Sequence, residues 1–479
     1  MTRELGTLDL DKQIRVEESA SEAIQLKRDG DSPISNTTSM PPEVACHTPE
    51  LWSHWGDSLE NWKLSSLHSK TLAPVDLVLI GENEVGGFFD EDLRNTLRDR
   101  AAADIIRKIH LRGQDRGLLT SILGLLTPED DAVQHSSMES IVLDARLDTY
   151  DFFARRHFAK LRDLSLRCAD LPLVPLKDNT KALVELTLSN EIDTSTSTPT
   201  TSQIISLLAS NPNIQTLDLR LEAFDDDTGS NPGDLVPLRY LEKLSLNGKA
   251  HDICPIMSRL ESFDTINELR LVLSHCTSET ITKVIGSYLR AVLQGDARRR
   301  EELNVQFTDG ASIMIFVRLA GAGAGASRPR AFFSLSPAPD VTPEQKKQMC
   351  SSALAVLPKE DIINYQTDFL EIEEMPKLQT LHLVQVEISN GFLLPKSDGP
   401  NAHEKLLPSL KFLFLEEVTT KDNNWDPLID YLQTDSRLAV LTVLGTHICP
   451  EVVEKIKSLV LLIYLPDMHY RCPRAGCMQ

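Results

Sequence analysis

Leucine and isoleucine recur along this chain in triplets, at relative places 1, 4 and 6, with polar residues between them. The first run is Ile106/Ile109/Leu111, Met138/Ile141/Leu143, Leu161/Leu164/Leu166, Leu183/Leu186/Leu188, Ile214/Leu217/Leu219, Leu241/Leu244/Leu246 and Ile266/Leu269/Leu271. A second run holds Leu378/Leu381/Leu383, Leu410/Leu413/Leu415 and Leu438/Leu441/Val443. Side chains alternate along a strand, so places 4 and 6 share one face and place 1 fills the corner before it. One such strand leaves its apolar face wet, and stacked neighbours cover it.

Between triplets the period changes to that of a helix. Ser202–Ser210 sets Ile204, Leu207 and Leu208 on one face, and Asn211-Pro212-Asn213 ends the segment. Thr277–Leu293 and Glu451–Leu459 read the same way. In the first run, first places lie about 22 to 32 residues apart, close to the unit length of leucine-rich repeats. The expected fold is therefore an α/β leucine-rich-repeat solenoid, with parallel inner strands and outer helices. Glu191, Glu222 and Lys249 stand where such repeats carry asparagine, so an irregular solenoid without asparagine ladders is expected.

Residues 298–374 lose the period. Leu303/Val305/Phe307 and Ile313/Ile315/Val317 alternate around Thr308-Asp309-Gly310, which predicts an inserted β-hairpin. A glycine-alanine loop (Gly321–Ala326), an apolar strand (Ala331–Leu335) and a helix (Pro343–Leu357) follow. The chain thus divides into a disordered arm (1–45), a capping and linker region (46–104), repeats (105–297), the insertion (298–374) and further repeats with a tail (375–479). The arm is polar and poor in aromatics, so it cannot offset its ordering entropy. A short helix over Lys12–Lys27 has too few apolar places to pack alone. Trp52, Trp55 and Trp62 precede the first repeat, where a solenoid needs a cap.

Composition narrows the function. A formal net charge of -21 over 479 residues disfavours nucleic acid and anionic membrane as partners, because both are bound through basic surfaces. The longest apolar run, Leu459–Leu465, is too short to cross a bilayer, and Met1–Asp11 lacks the apolar core of a signal peptide. A cytoplasmic or nuclear location is expected, with the Asn36-Thr37-Thr38 sequon unglycosylated. The eight cysteines follow neither a disulfide framework nor a zinc spacing. Gly321–Ser327 lacks the Lys-Ser/Thr of a phosphate loop, and Cys472 and Cys477 near His469 lack a second ligand pair. No nucleophile elbow or HExxH motif is present. The expectation is a non-enzyme with no catalytic, cofactor-binding or metal residues.

Strand parity instead points to a binding surface. Residues flanking the inward pairs are sent to the concave face: Lys108/His110/Arg112, Asp163/Ser165/Arg167, Glu185/Thr187/Ser189, Thr216/Asp218/Arg220, Lys243/Ser245/Asn247 and Glu268/Arg270. Lys108, His110, Arg112, Arg167, Arg220, Lys243 and Arg270 make this face rich in cations, which suits a protein partner with acidic or hydrogen-bonding groups. Toward the carboxyl end the same parity exposes His382/Val384, Phe412/Phe414 and Val440/Thr442/Leu444. Such an apolar patch is either a binding anchor or covered by the chain's own tail, Leu462–Tyr470.

Thr48-Pro49-Glu50-Leu51-Trp52-Ser53-His54, then Ser69-Lys70 and Ala73-Pro74-Val75-Asp76-Leu77-Val78-Leu79, resemble the stretch that follows the F-box in fungal, mushroom-type F-box leucine-rich-repeat proteins. Met40-Pro41-Pro42-Glu43-Val44 resembles the opening of the F-box itself. The resemblance implies substrate recognition in a Skp-cullin-F-box ubiquitin ligase, with Pro41, Pro42 and Glu43 as an adaptor-binding remnant and a Skp-type adaptor as second partner. Only Ala45-Cys46-His47 separate the two motifs, where an F-box has three packed helices. Either an exon is missing from the coding sequence, or this form does not join such a ligase in the family's manner. A stand-alone repeat scaffold without a ubiquitin role is the alternative.

Overall fold

The computed structural model describes residues 75–81, 95, 98, 106–113, 116–127, 134–144, 149–168, 170–190, 199–221, 235–261, 266–290, 293, 301–307, 312–319, 330–368, 374–388, 407–421, 424–434, 438–446 and 448–464. The arm, the three tryptophans, Pro41, Pro42, Glu43, the Gly321–Ala326 loop and Cys472/Cys477 lie outside these residues.

The strands in chain order are β1 (Val75–Gly81), β2 (Ile106–Gly113), β3 (Gln134–His135), β4 (Ser140–Asp144), β5 (Arg156–His157), β6 (Asp163–Cys168) and β7 (Glu185–Asn190). There follow β8 (Thr216–Leu221), β9 (Lys243–Lys249), β10 (Glu268–Cys276), β11 (Glu301–Phe307), β12 (Ile313–Leu319), β13 (Ala331–Pro337) and β14 (Ile362–Thr367). The last are β15 (Thr380–Val384), β16 (Glu387–Ile388), β17 (Phe412–Glu416), β18 (Thr419–Thr420), β19 (Val440–Leu444) and β20 (Leu462–Tyr464). Sixteen of them form one sheet in the order β1-β2-β4-β6-β7-β8-β9-β10-β13-β12-β11-β14-β15-β17-β19-β20. Its pairings are parallel except those of β12 with β11 and β13.

Parallel neighbours need crossovers, and helices supply most of them. These are α1 (Arg116–Leu126), α2 (Tyr150–Ala154), α3 (Leu173–Asn179), α4 (Thr201–Ser210), α5 (Ala250–Met257), α6 (Ser278–Lys283), α7 (Pro343–Val356), α8 (Asp426–Thr434) and α9 (Pro450–Lys457). Helix α6 runs on into a π-helical turn, Val284–Leu289. Two starts are set by capping boxes: Thr200 with Gln203 opens α4, and Thr342 with Gln345 opens α7. Asn211 closes α4 while buried, its amide donating to Leu207 O and its carbonyl accepting from Leu183 N. That residue ties the end of α4 to the corner of β7, the strand just before the helix.

All thirty residues of the ten triplets are buried. Register stacks the fourth places as Ile109, Ile141, Leu164, Leu186, Leu217, Leu244 and Leu269, and the sixth places beside them. Strands β13, β12 and β11, from the segment where the period is lost, sit between β10 and β14 and keep the sheet unbroken. Across them Leu271 meets Phe333, then Ile315, Val305, Tyr365 and Leu381. The sixth-place column of the first run therefore becomes the fourth-place column of the second, a slip of two residues that preserves facing. The helices pack on this leucine-lined face, and the architecture is a mixed α/β, solenoid-like stack.

Candidate functional site

The opposite face of the sheet carries the predicted side chains. Its residues are half-buried or exposed along nearly every strand, as alternation requires. Two register rows run across it. One holds His110, Val142, Ser165, Thr187, Asp218, Ser245 and Arg270, then Phe332, Phe316, Asn304, Asn364, Thr380, Phe412, Val440 and Leu462. The other holds Arg112, Asp144, Arg167, Ser189, Arg220, Asn247 and Val272, then Ser334, Met314, Gln306, Gln366, His382, Phe414, Thr442 and Tyr464.

The first half of the face is charged and internally compensated. Asp144 sits between two arginines, 3.3 Å from Arg112 Nε and 3.6 Å from Arg167 Nη1. Arg220 donates to Asp218 at 2.8 Å, and Lys243 lies 3.9 Å from Glu268. Lys108 is exposed on β2 beside half-buried His110. Burial pushes the His110 imidazole below its ordinary value, Arg112 reinforces this, and Asp144 opposes it. Arg270 stands 5.8 Å from the centroid of Phe332, itself 5.1 Å from Phe316, so the charged half ends on a cation-aromatic contact.

An amide strip follows, in which Asn364 Nδ2 donates to Asn304 Oδ1, with Gln306 and Gln366 alongside. Beyond it the face turns apolar. Phe412 is exposed, Phe414 lies 5.7 Å from the His382 ring, and His382 is bonded to Glu416 at 3.0 Å. Burial lowers the His382 pKa, with the Glu416 carboxylate opposing. The predicted residues thus fall into two groups that the fold keeps apart. Six strand spacings separate Arg270 on β10 from Phe412 and Phe414 on β17, roughly 29 Å along the sheet.

The expected covering of the apolar patch by Leu462–Tyr470 takes another form in its described part. Leu462–Tyr464 pairs with β19 as the edge strand, which leaves Leu462 and Tyr464 at 59% and 58% exposure on the same face as Phe412. They enlarge the patch. Sequence reasoning also passed over Asp144, although parity of the Met138/Ile141/Leu143 triplet places it on this face. The aromatic pair Phe316/Phe332 was missed because it depends on how β12 and β13 join the sheet.

Burial pushes Cys276 up to about 12 and Cys254 up as well, which leaves both as thiols at neutral pH. Among the described residues, no group of three histidine, cysteine or acidic side chains is placed to hold a metal ion. No helix among them is long and apolar enough to cross a membrane.

No protein-family model matches this chain, and no curated protein matches it. Among solved structures the chain is similar to one from the crystal structure of the Rad7 and Elc1 complex in yeast, at 13% identity and a TM-score of 0.29, over 99% of this chain and 97% of that one.

Proposed function

We propose that this protein is a non-catalytic leucine-rich-repeat solenoid that binds a partner protein across the open face of its sheet. The observation that carries the reading is the pair of register rows. Fifteen places in each are filled by polar, charged or aromatic side chains far more often than by aliphatic ones, while the buried columns beside them are almost wholly aliphatic. Strands pack about 4.8 Å apart whereas helices need about 8–10 Å, so a helix layer on one side bends the array with the open face concave. A concave, polar and aromatic surface of that length suits an extended protein ligand better than a small molecule. The acidic total charge makes nucleic acid and anionic membrane poor alternatives.

Site-directed photo-crosslinking tests it. A photoreactive residue at Ser189 or Phe414 on the open face should capture the same partner from cell extract, identified by mass spectrometry. The same group at Val174, which is exposed on α3, should not. Capture from Val174 with none from the open face would overturn the reading.

A narrower role as the substrate-recognition part of a Skp-cullin-F-box ubiquitin ligase is favoured by one observation, the resemblance of Met40–Val44 and Thr48–Leu79 to the F-box opening and its following stretch. The test is a pull-down with the Skp-type adaptor. Adaptor binding that appears only when a complete F-box replaces residues 41–47 supports a ligase-derived chain with a truncated box. Failure of that chimera to bind leaves the stand-alone scaffold.

A further inference from the structure

We infer that the carboxamides at the middle of the open face, Asn304, Gln306, Asn364 and Gln366, clamp the main chain of an extended segment of a partner protein, and that an acidic side chain of the same segment meets Arg270. This rests on the open face being the binding face and names the form of its occupant. Asn304 stands beside Asn364 and Gln306 beside Gln366 across β11 and β14, so the amides form a square. Within each strand the Asn and Gln places lie about 6.8 Å apart, and a chain run across the strands between them has an amide pair along each edge. An extended chain turns its N–H and C=O groups to both edges, and each carboxamide offers a donor and an acceptor to match them. A helix bonds those groups internally and would leave the square only side chains to hold.

Two further observations point to an occupant. The amide side chains are half-buried, and the one hydrogen bond they make among the described residues runs from Asn364 to Asn304, so Gln306 and Gln366 stay open to a chain laid over them. Arg270 is exposed and 5.8 Å from the Phe332 centroid, with no carboxylate at ion-pair distance among the described residues. Charge complementarity therefore places an anion of the segment at that end. Strand β11 lies three strand spacings from β10, about 14 Å, which an extended chain covers in about four residues. Phe332 and Phe316 fill that interval, on the row that joins Arg270 to Asn304. Apolar side chains between the acid and the clamp gain contact with this aromatic pair.

Panning phage-displayed random peptides of ten residues, about 34 Å when extended, on the full chain tests this. Recovered peptides should carry Asp or Glu about four residues from a stretch without proline, whose missing N–H would waste the clamp. In fluorescence anisotropy their synthetic copies should bind about tenfold more weakly once the backbone nitrogens of that stretch are methylated, a change that leaves the protein itself unaltered. Gln306→Met combined with Gln366→Met should also cost about tenfold, and Arg270→Met about threefold at low ionic strength. Lys177→Met, on α3 behind the sheet, should leave binding unchanged. Recovery of no peptide, recovery of peptides with apolar residues at helical spacing, or indifference to methylation would overturn the proposal. If it fails while crosslinks from Ser189 and Phe414 persist, the extended occupant alone is lost. Loss of both removes the binding face itself.

Discussion

The two halves of the sheet share one interior and differ in what they show to solvent. Beneath β2–β10 and beneath β15–β19 the same leucine columns run in register, and each buried triplet is as closed as the next. Above them, the first half carries an aspartate held between arginines, and the second carries Phe412, Phe414, Leu462 and Tyr464. The inward places are constrained by packing, because each side chain must fill its share of a continuous column. The outward places are not held by that packing. A fold that fixes half of each strand leaves the other half free to differ between the two halves of the sheet.

Substitutions in the shared interior should therefore act alike in both halves. Leu217→Ala and Leu413→Ala each open a void under a fully buried fourth place and should cost about 3 kcal/mol, within the range for such truncations. Urea unfolding followed by circular dichroism gives the magnitude, and amide exchange of β8 and β17 locates it. A cost at Leu413 near that of a surface change would show the second half to be a looser array than its burial implies.

The next effect distinguishes the halves by where each accommodates glycine. Gly248, next to last in β9, lies so close to the neighbouring strand that an added Cβ would sit 2.3 Å from Leu221 O, and backbone cannot yield as a side chain can. Gly248→Ala should cost roughly 2 kcal/mol by pushing β8 and β9 apart. In the second half the tight position is a corner. Gln385, Glu417 and Gly445 follow β15, β17 and β19 with φ of 54°, 49° and 58°, and only the last is glycine. Gly445→Ala should cost about 1 kcal/mol, from the left-handed backbone and a Cβ lying 3.0 Å from Glu417 Cγ. If Gly445→Ala proved the more damaging of the two, the corner and not strand contact would be the tighter constraint.

Much of this was legible in the sequence, for a physical reason. The triplets are local, and burial follows from them by alternation alone, which is why all ten triplets and the outward arginines were found. Strands with other residues in the columns were passed over. In β14 the column places are Tyr365 and Thr367 where leucine stands elsewhere, and in β1 the pattern is carried by Leu77 and Leu79 without an aliphatic first place. The continuity of the sheet through β11–β13 is set by non-local pairing of β13 with β10 and of β11 with β14, which no period announces. The ion pairs had the same fate, since Arg112 and Arg167 acquire their shared partner only when β4 is placed between β2 and β6.

The smallest expected effect separates the halves by the sign of a neighbouring charge. His110 and His382 both lie half-buried on the open face, and burial lowers both below the ordinary 6.5. A histidine with a lowered folded pKa is protonated more readily in the unfolded chain, so its contribution to stability is whole above pH 6.5 and is lost as pH falls from there to the folded value. The neighbours act oppositely. Arg112 deepens the depression at His110, whereas Glu416 relieves it at His382. Arg112→Gln should therefore shallow the loss of stability on acidification below pH 6.5, and Glu416→Gln should steepen it. Urea midpoints measured from pH 7.5 to 5 read both, with His110→Gln and His382→Gln as the baselines that remove each contribution. No change in either variant would mean that the histidines respond to burial alone, and that the charges beside them, on which the contrast between the two faces depends, are too well screened to matter.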